Sequence, residues 1–350
     1  MAVKELLHTE IKDLRRVNEL LRLKKTLRFN AQGKFRILFL SDLHGGHGQS
    51  EQLAEAIEAM VAATQPDLVM LNGDTAGCGP IHVETAEQVR EMLAIDVAPM
   101  EKRGVPWAHT FGNHDNNYGV SKEEQEEIYE SFPLCLSKAG EPDLPGVANY
   151  CLPVLAHDSD RIAFNVWAMD SHDNVNLLAQ RLGLPNGMKL KLDRMHGSSG
   201  YDTVRFEQIM WYYNTSKLLE AYNGRKIPGL MLMHIALPEH EVVAENRVAC
   251  GYVGEQYEDV AFTCLNSGLF SACLERGDVK MILAGHDHYN DYIGAYCGIQ
   301  LGYMGSITYD GYQRDDLRGA RVVDIDESGA MCTQLIRLRS IMGEKADKKE

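Results

Sequence analysis

A chain of 350 residues, 45% hydrophobic and 24% charged, is long enough for one large globular domain or two smaller ones. Its formal net charge of −15 argues against a nucleic-acid backbone as partner, because phosphate binding leans on clustered Lys and Arg. Eight scattered cysteines with no C-x-x-C pair argue against a disulfide scaffold, and no apolar run approaches the ~20 residues of a membrane span, so a cytoplasmic protein is expected.

Residues 4–25 read as one amphipathic helix, with Leu7, Ile11, Leu14, Val17 and Leu21 recurring at spacings of three and four between charged residues. Charges of both signs throughout leave no apolar core for a secretory signal. Such a stripe packs on its own domain or on a second copy of the chain, as a homodimer. From Phe35 the pattern alternates: strand 35–40, helix 51–63, strand 67–71, helix 83–102, strand 106–110, helix 122–130. This βαβ order implies a buried sheet with helices on both faces. Pro and Gly punctuate residues 133–201, where strands are expected at 149–153 and 161–169. A helix at 204–222, a strand at 229–233 and a helix at 267–275 follow, then strands at 279–284, 292–297, 320–326 and 332–337. The division expected is an N-terminal helix (1–28), a main domain (29–340) and a charged, disordered tail (341–350).

In open α/β sheets, ligands bind beyond the carboxyl ends of the strands. Five such ends here are polar. The first leads into Asp42-Leu43-His44, the second into Asn72-Gly73-Asp74, and the third into Gly112-Asn113-His114-Asp115. Strand 229–233 ends at His234, and strand 279–284 at Gly285-His286-Asp287-His288. Singly, each block is ordinary: Asp after a strand is usually turn chemistry, and a lone His is usually a structural hydrogen-bonder. Their joint occurrence, with two imidazoles two residues apart, points instead to a metal site.

The blocks match in order the pattern D-x-H, G-D, G-N-H-[DE], H and G-H-x-H, so from about Phe35 to Arg337 the chain resembles the calcineurin-like metallophosphoesterase superfamily. It is more similar still to the single-domain, purple-acid-phosphatase-like branch. That closeness rests on Met233-His234-Ile235-Ala236-Leu237-Pro238-Glu239, Leu265-Asn266-Ser267-Gly268 and Gly285-His286-Asp287-His288-Tyr289-Asn290-Asp291. The resemblance implies an α/β fold, a four-layer αββα sandwich of two mixed sheets flanked by helices. It also implies one metal ion held by Asp42, His44 and His288, a second held by Asn113, His234 and His286, and Asp74 bridging them. Imidazole with carboxylate suits two divalent or trivalent transition-metal ions (Mn, Fe, Zn, Ni or Co) rather than Mg or Ca.

The activity implied is phosphoester hydrolysis, a hydroxide between the metals attacking phosphorus in line while the cations neutralise the equatorial oxygens. His114, not a ligand in this family, would stabilise the transition state or protonate the leaving oxygen. Asp115 would orient that imidazole or serve a surface turn. The purple enzymes carry a metal-binding Tyr just after the Gly-Asp block; here Thr75-Ala76-Gly77 follow, so a colourless protein is expected. His47, Asp170, His172 and Asn266 are candidates for substrate contact, with His196 further out. Phosphomonoesters, small or protein-borne, are favoured over diesters of nucleotides or lipid head groups. A non-enzymatic scaffold of the same fold is the other class of reading, and it is expected to lack ligands that this chain retains.

Overall fold

The computed structural model describes residues 13–46, 50–76, 84–117, 119–173, 183, 198–263, 265–310 and 312–348. Among them run the strands β1 (Leu27–Arg28), β2 (Lys34–Leu40), β3 (Leu68–Asn72), β4 (Trp107–Thr110), β5 (Tyr150–Leu155), β6 (Ile162–Ala168) and β7 (Ser198–Tyr201). They continue with β8 (Gly229–Leu232), β9 (Ala261–Thr263), β10 (Val279–Ala284), β11 (Ile293–Tyr296), β12 (Ile299–Tyr303), β13 (Gly319–Asp326) and β14 (Met331–Arg337). One sheet has seven strands in the order β1-β5-β6-β8-β10-β12-β11, a second has five in the order β14-β13-β2-β3-β4, and β7 pairs with β9. Both large sheets are mixed: β6, β8, β10 and β12 are mutually parallel with antiparallel β5 and β11 beside them, and β2, β3 and β4 are parallel with antiparallel β13 beside β2.

Alternate residues of the central strands enter different cores, the period of two that a strand buried on both faces imposes. Val166, Leu230, Leu232, Met281 and Leu283 share one core with Ile37, Phe39 and Met70 of the five-stranded sheet. Trp167, Met231, Ile282 and Ala284 turn the other way, into a core shared with helices Phe206–Asn223, Pro238–Glu245 and Leu269–Arg276. Helix Ser50–Thr64 joins the first core through Leu53, Ile57, Met60 and Val61, spaced three and four apart on one face. Burying each such side chain contributes about 1.5–3 kcal/mol. The layers run helix, sheet, sheet, helix, the four-layer αββα sandwich.

Four expectations are corrected. The alternation read as one sheet builds two. The helix expected over 83–102 is two helices, Ala86–Asp96 and Ala98–Arg103, because Pro99 has no N–H to donate to the Ile95 carbonyl. At the N-terminus residues 13–21 are helical and the start near residue 4 lies outside the described residues, but Leu27–Arg28 is an edge strand rather than part of that helix. Within the helical part Val17 is buried in the second core and Arg16 donates to Thr215, while Leu14 stays 51% exposed. The tail expected to be disordered is folded through residue 348: helix Leu338–Met342 leads into a 3-10 turn, Gly343–Ala346, with Ala346 buried. Its charges are used internally. Arg339 pairs with Asp347 at 2.7 Å, and Arg318 and Gln52 donate to the Ala346 and Asp347 carbonyls at 2.8 Å each. No helix among the described residues is long and apolar enough to cross a membrane.

Candidate metal centre

The turns that follow β2, β3, β4, β8 and β10 are stitched to one another by backbone hydrogen bonds. The His44 amide donates to the Asp74 carbonyl (2.9 Å) and the Gly285 amide to that of His234 (3.0 Å). The His286 amide donates to the Asp42 carboxylate (3.0 Å), and that of His114 to the Asp74 carboxylate (2.8 Å). Glycine permits this approach: a Cβ on Gly112 would lie 2.5 Å from the Asp74 amide nitrogen. Asp42, His44, Asp74 and His286 themselves take left-handed backbone angles (φ 52°, 47°, 48° and 72°), half of the eight non-glycine cases among the described residues. Such strain gathers where a site dictates the direction of a side chain.

Two groups of buried ligating atoms result, Asp42 with His44 and His288, and Asp74 with His234 and His286, each within 4.8 Å. In the first, His288 Nδ1 donates to the Tyr312 carbonyl (2.6 Å), which leaves the Nε2 lone pair 3.3 Å from His44 Nε2 and 3.3 Å from Asp42 Oδ1. In the second, His234 Nδ1 donates to the Asn72 carbonyl (2.8 Å), directing Nε2 at Asp74 Oδ2, 3.0 Å away. Asp42 Oδ1 and Asn113 Oδ1 are buried with no hydrogen-bond partner, a costly state for a polar atom unless something else satisfies it.

The electrostatics ask for positive charge. Burial pushes His44 down to about 4 and His286 down to about 3, so both are neutral at physiological pH. At His234 burial acts in the same direction, but the Asp74 and Asp42 carboxylates overcome it and hold the ring up at about 10. Burial likewise raises the two carboxyls, and the neighbouring imidazoles more than reverse this and keep both ionised. A protonated His234 between two carboxylates balances the charge as a bound cation would.

His114 is half-buried, its ring edge-on to His44 at 5.7 Å between centroids. The structure corrects the role expected for Asp115. Its buried carboxylate accepts from the amides of Gly112 (2.7 Å), Asp74 (2.9 Å), Thr75 (3.1 Å) and Ala76 (3.2 Å), locking two ligand turns together rather than touching the His114 ring. Burial and the Asp74 charge push this carboxyl up to about 6. The Asn117 amide takes the orienting position instead, 2.7 Å from His114 Nδ1.

None of the described candidate substrate residues joins the two groups. Asp170 accepts from the amides of Val147 and His172 and faces the buried ammonium of Lys122, while His172 Nε2 meets Gln208 at 2.8 Å. Both belong to a supporting network, which reaches the His234 turn where Ser171 accepts from the Ile235 amide. Asn266 is exposed and bonds Glu239 and the Gly268 amide. His47 and His196 lie outside the described residues. Two tyrosines at the site had no sequence signal: Tyr312 stacks on His288 (4.2 Å, 7° between planes), and Tyr201 packs edge-on to His286 (4.3 Å, 75°). Burial, then the Asp287 charge, push the Tyr201 phenol up to about 12, so it is neutral at physiological pH.

The calcineurin-like phosphoesterase family matches residues 35–290. An Arabidopsis thaliana protein named probable inactive purple acid phosphatase 14 is 30% identical, over 86% of this chain and 77% of its own length. Phosphatase DCR2 of Saccharomyces cerevisiae is 26% identical, over 75% of this chain and 45% of its own. Among solved structures, a dimetal phosphatase from Danio rerio superposes with a TM-score of 0.52 at 13% identity, over 85% of this chain and 98% of that one, a likeness of fold. With its five ligand blocks in order and 256 of its residues matched, from 35 to 290, the chain belongs to the calcineurin-like phosphoesterase family.

Proposed function

We propose that the protein is a phosphoester hydrolase working with two transition-metal ions and acting on monoesters in preference to diesters. The observation that carries this is the pair of buried ligand groups, together with Asp42 Oδ1 and Asn113 Oδ1 buried without a hydrogen-bond partner. The donor set fits such ions: imidazole, carboxylate and amide oxygen suit Mn, Fe, Zn, Ni or Co. Asp42, His44 and His288 would hold one ion and Asn113, His234 and His286 the other, with Asp74 shared. When bound, the ions supply Lewis acidity that activates water at neutral pH and neutralises phosphoryl charge.

The chain's own groups supply the rest. With the Asn117 amide donating to Nδ1, His114 carries its N–H on Nε2, where it would donate a hydrogen bond to the leaving-group oxygen as charge develops there. Asp115 keeps the Gly112 and Asp74 turns in register, so that Asn113 and Asp74 are presented together. Burial of the carboxylates and imidazoles excludes water from the reacting region and strengthens each of these interactions. Several plant relatives are named inactive; the full ligand set and His114 in this chain support activity.

The reading is tested by counting metal in the purified protein and assaying p-nitrophenyl phosphate beside its bis-ester across the five metals. Two metal equivalents with the monoester turned over faster are expected. Faster turnover of the bis-ester would move the assignment to a phosphodiesterase, and two bound metals with no turnover on any ester would make the protein a scaffold.

A further inference from the structure

The residues matched by the family end at 290, yet the site draws on a loop that follows β12. We propose that Tyr312 is a positioning residue that holds His286 and His288 in ligating orientation; the inference rests on the two-cation reading above. Tyr312 makes three separate contacts with this pair. Its carbonyl accepts the His288 Nδ1 proton at 2.6 Å, which fixes the tautomer and leaves Nε2 for a metal. Its ring lies flat on the His288 imidazole, 4.2 Å between centroids and 7° between planes, so the imidazole cannot swing without losing the stack. Its hydroxyl crosses to the other ligand and donates to the His286 carbonyl at 3.3 Å. Partners of this kind on the far side of a ligating histidine set both its basicity and its direction.

The loop is built to hold that pose. Gln313, next in sequence, donates to the Ser306 carbonyl (3.1 Å) and the His288 carbonyl (3.4 Å), tying both ends of the loop to the ligand. Arg318 closes it from behind. Its guanidinium is fully buried, lies 4.1 Å above the Tyr309 ring, and donates to the Thr308 carbonyl (2.7 Å), Asp315 (2.8 Å) and the Ala346 carbonyl (2.8 Å). Arg318 therefore ties the folded segment 343–348 to Thr308, Tyr309 and Asp315, which flank Tyr312 in the chain. Tyr312 itself is 46% exposed, so changing it opens no cavity in the core.

The test uses the full chain, as wild type, Tyr312→Phe and Tyr312→Leu, loaded with Mn2+ or Zn2+ and dialysed against a graded series of chelator. Metal equivalents are counted by mass spectrometry, and circular dichroism and the melting temperature of the metal-free protein check the fold. Wild type is expected to keep two equivalents. Tyr312→Leu retains the backbone carbonyl but not the stack or the hydroxyl. It is expected to hold metal about 10–100-fold more weakly in both groups, at an unchanged metal-free melting temperature that a purely structural role would not leave in place. Tyr312→Phe, which keeps the stack on His288 but loses the hydroxyl to the His286 carbonyl, is expected to fall between wild type and Tyr312→Leu. Should Tyr312→Leu not fold, Tyr312→Asn, suited to a half-exposed position, carries the same test. Wild-type retention of both metals by the Leu or Asn variant overturns the inference and leaves the two-cation reading standing. A wild type that holds no metal overturns both.

Discussion

The two large sheets contribute different chemistry to the site. On the reading proposed above, the five-stranded sheet supplies every oxygen donor (Asp42, Asp74 and Asn113) and one imidazole, His44, from the turns after β2, β3 and β4. The seven-stranded sheet supplies only imidazoles, His234 after β8 and His286 and His288 after β10. Each ligand group crosses the gap between them: Asp42 and His44 need His288, and Asp74 needs His234 and His286. The spacing of oxygen from nitrogen donors is therefore set by how the sheets pack face to face. Neither sheet alone forms a site.

The sharpest way to break this division is on the oxygen side. Asp74→Ala removes the carboxylate that reaches toward His234 and the His114 amide; loss of metal from the second group and a fall in turnover of at least about 10³-fold are expected, beyond the ~10²–10³ typical of one electrostatic donor. Metal counting and kcat/KM on p-nitrophenyl phosphate check it, and two retained equivalents would mean the oxygen donors are not what completes the groups. The inter-sheet ruler is tested at Leu232, fully buried just before Met233 and His234. Leu232→Ala should cost about 2–5 kcal/mol in urea unfolding; a cost confined to tenths would show that the sheets do not depend on this contact.

His114→Ala comes next, because His114 belongs to neither group of ligands. Metal content should not change, while turnover of alkyl phosphates falls about 10²-fold. Equal rates on alkyl and p-nitrophenyl esters relative to wild type would remove His114 from stabilising the leaving group. The smallest effect is expected at Asp96, buried at the end of helix Ala86–Asp96 on the five-stranded side. Burial pushes its carboxyl well above the usual range. The native state then keeps a proton that the unfolded chain has released, so its contribution to stability falls as pH rises above about 4. Asp96→Asn should match wild type at pH 3 and melt higher at pH 7; a variant no more stable at pH 7 would refute the assignment.

The ligand blocks were legible because two local signals coincide in them, an apolar strand and a polar Gly-flanked turn at its carboxyl end. Asp42, Asp74, Asn113, His234 and His288 were each read in that way. What was not legible depends on distant partners. Asp115 sits in the same motif as His114, yet its carboxylate is drawn to four backbone amides that only the approach of the β3 turn provides. Tyr312 lies beyond a strand, Ile299–Tyr303, that contains Gly302 and is flanked by Gly298 and Gly305, which hid it from a propensity reading. The tail looked disordered on charge alone, since the sequence does not reveal that Arg339 meets Asp347 and Arg318 reaches the Ala346 carbonyl.

The left-handed backbone at Asp42, His44, Asp74 and His286 bears on how such a protein ages in evolution. Each of these residues holds a conformation that costs an L-residue about 1–2 kcal/mol relative to glycine. In a lineage that needs the reaction, selection keeps the side chains in spite of that cost. Once the need lapses, substitution by glycine relaxes the backbone most freely at His44, whereas Asp42 and Asp74 also accept the His286 and His114 amides. Descent toward a stable, catalytically silent protein is then a downhill path, and the ligand positions are where it should begin.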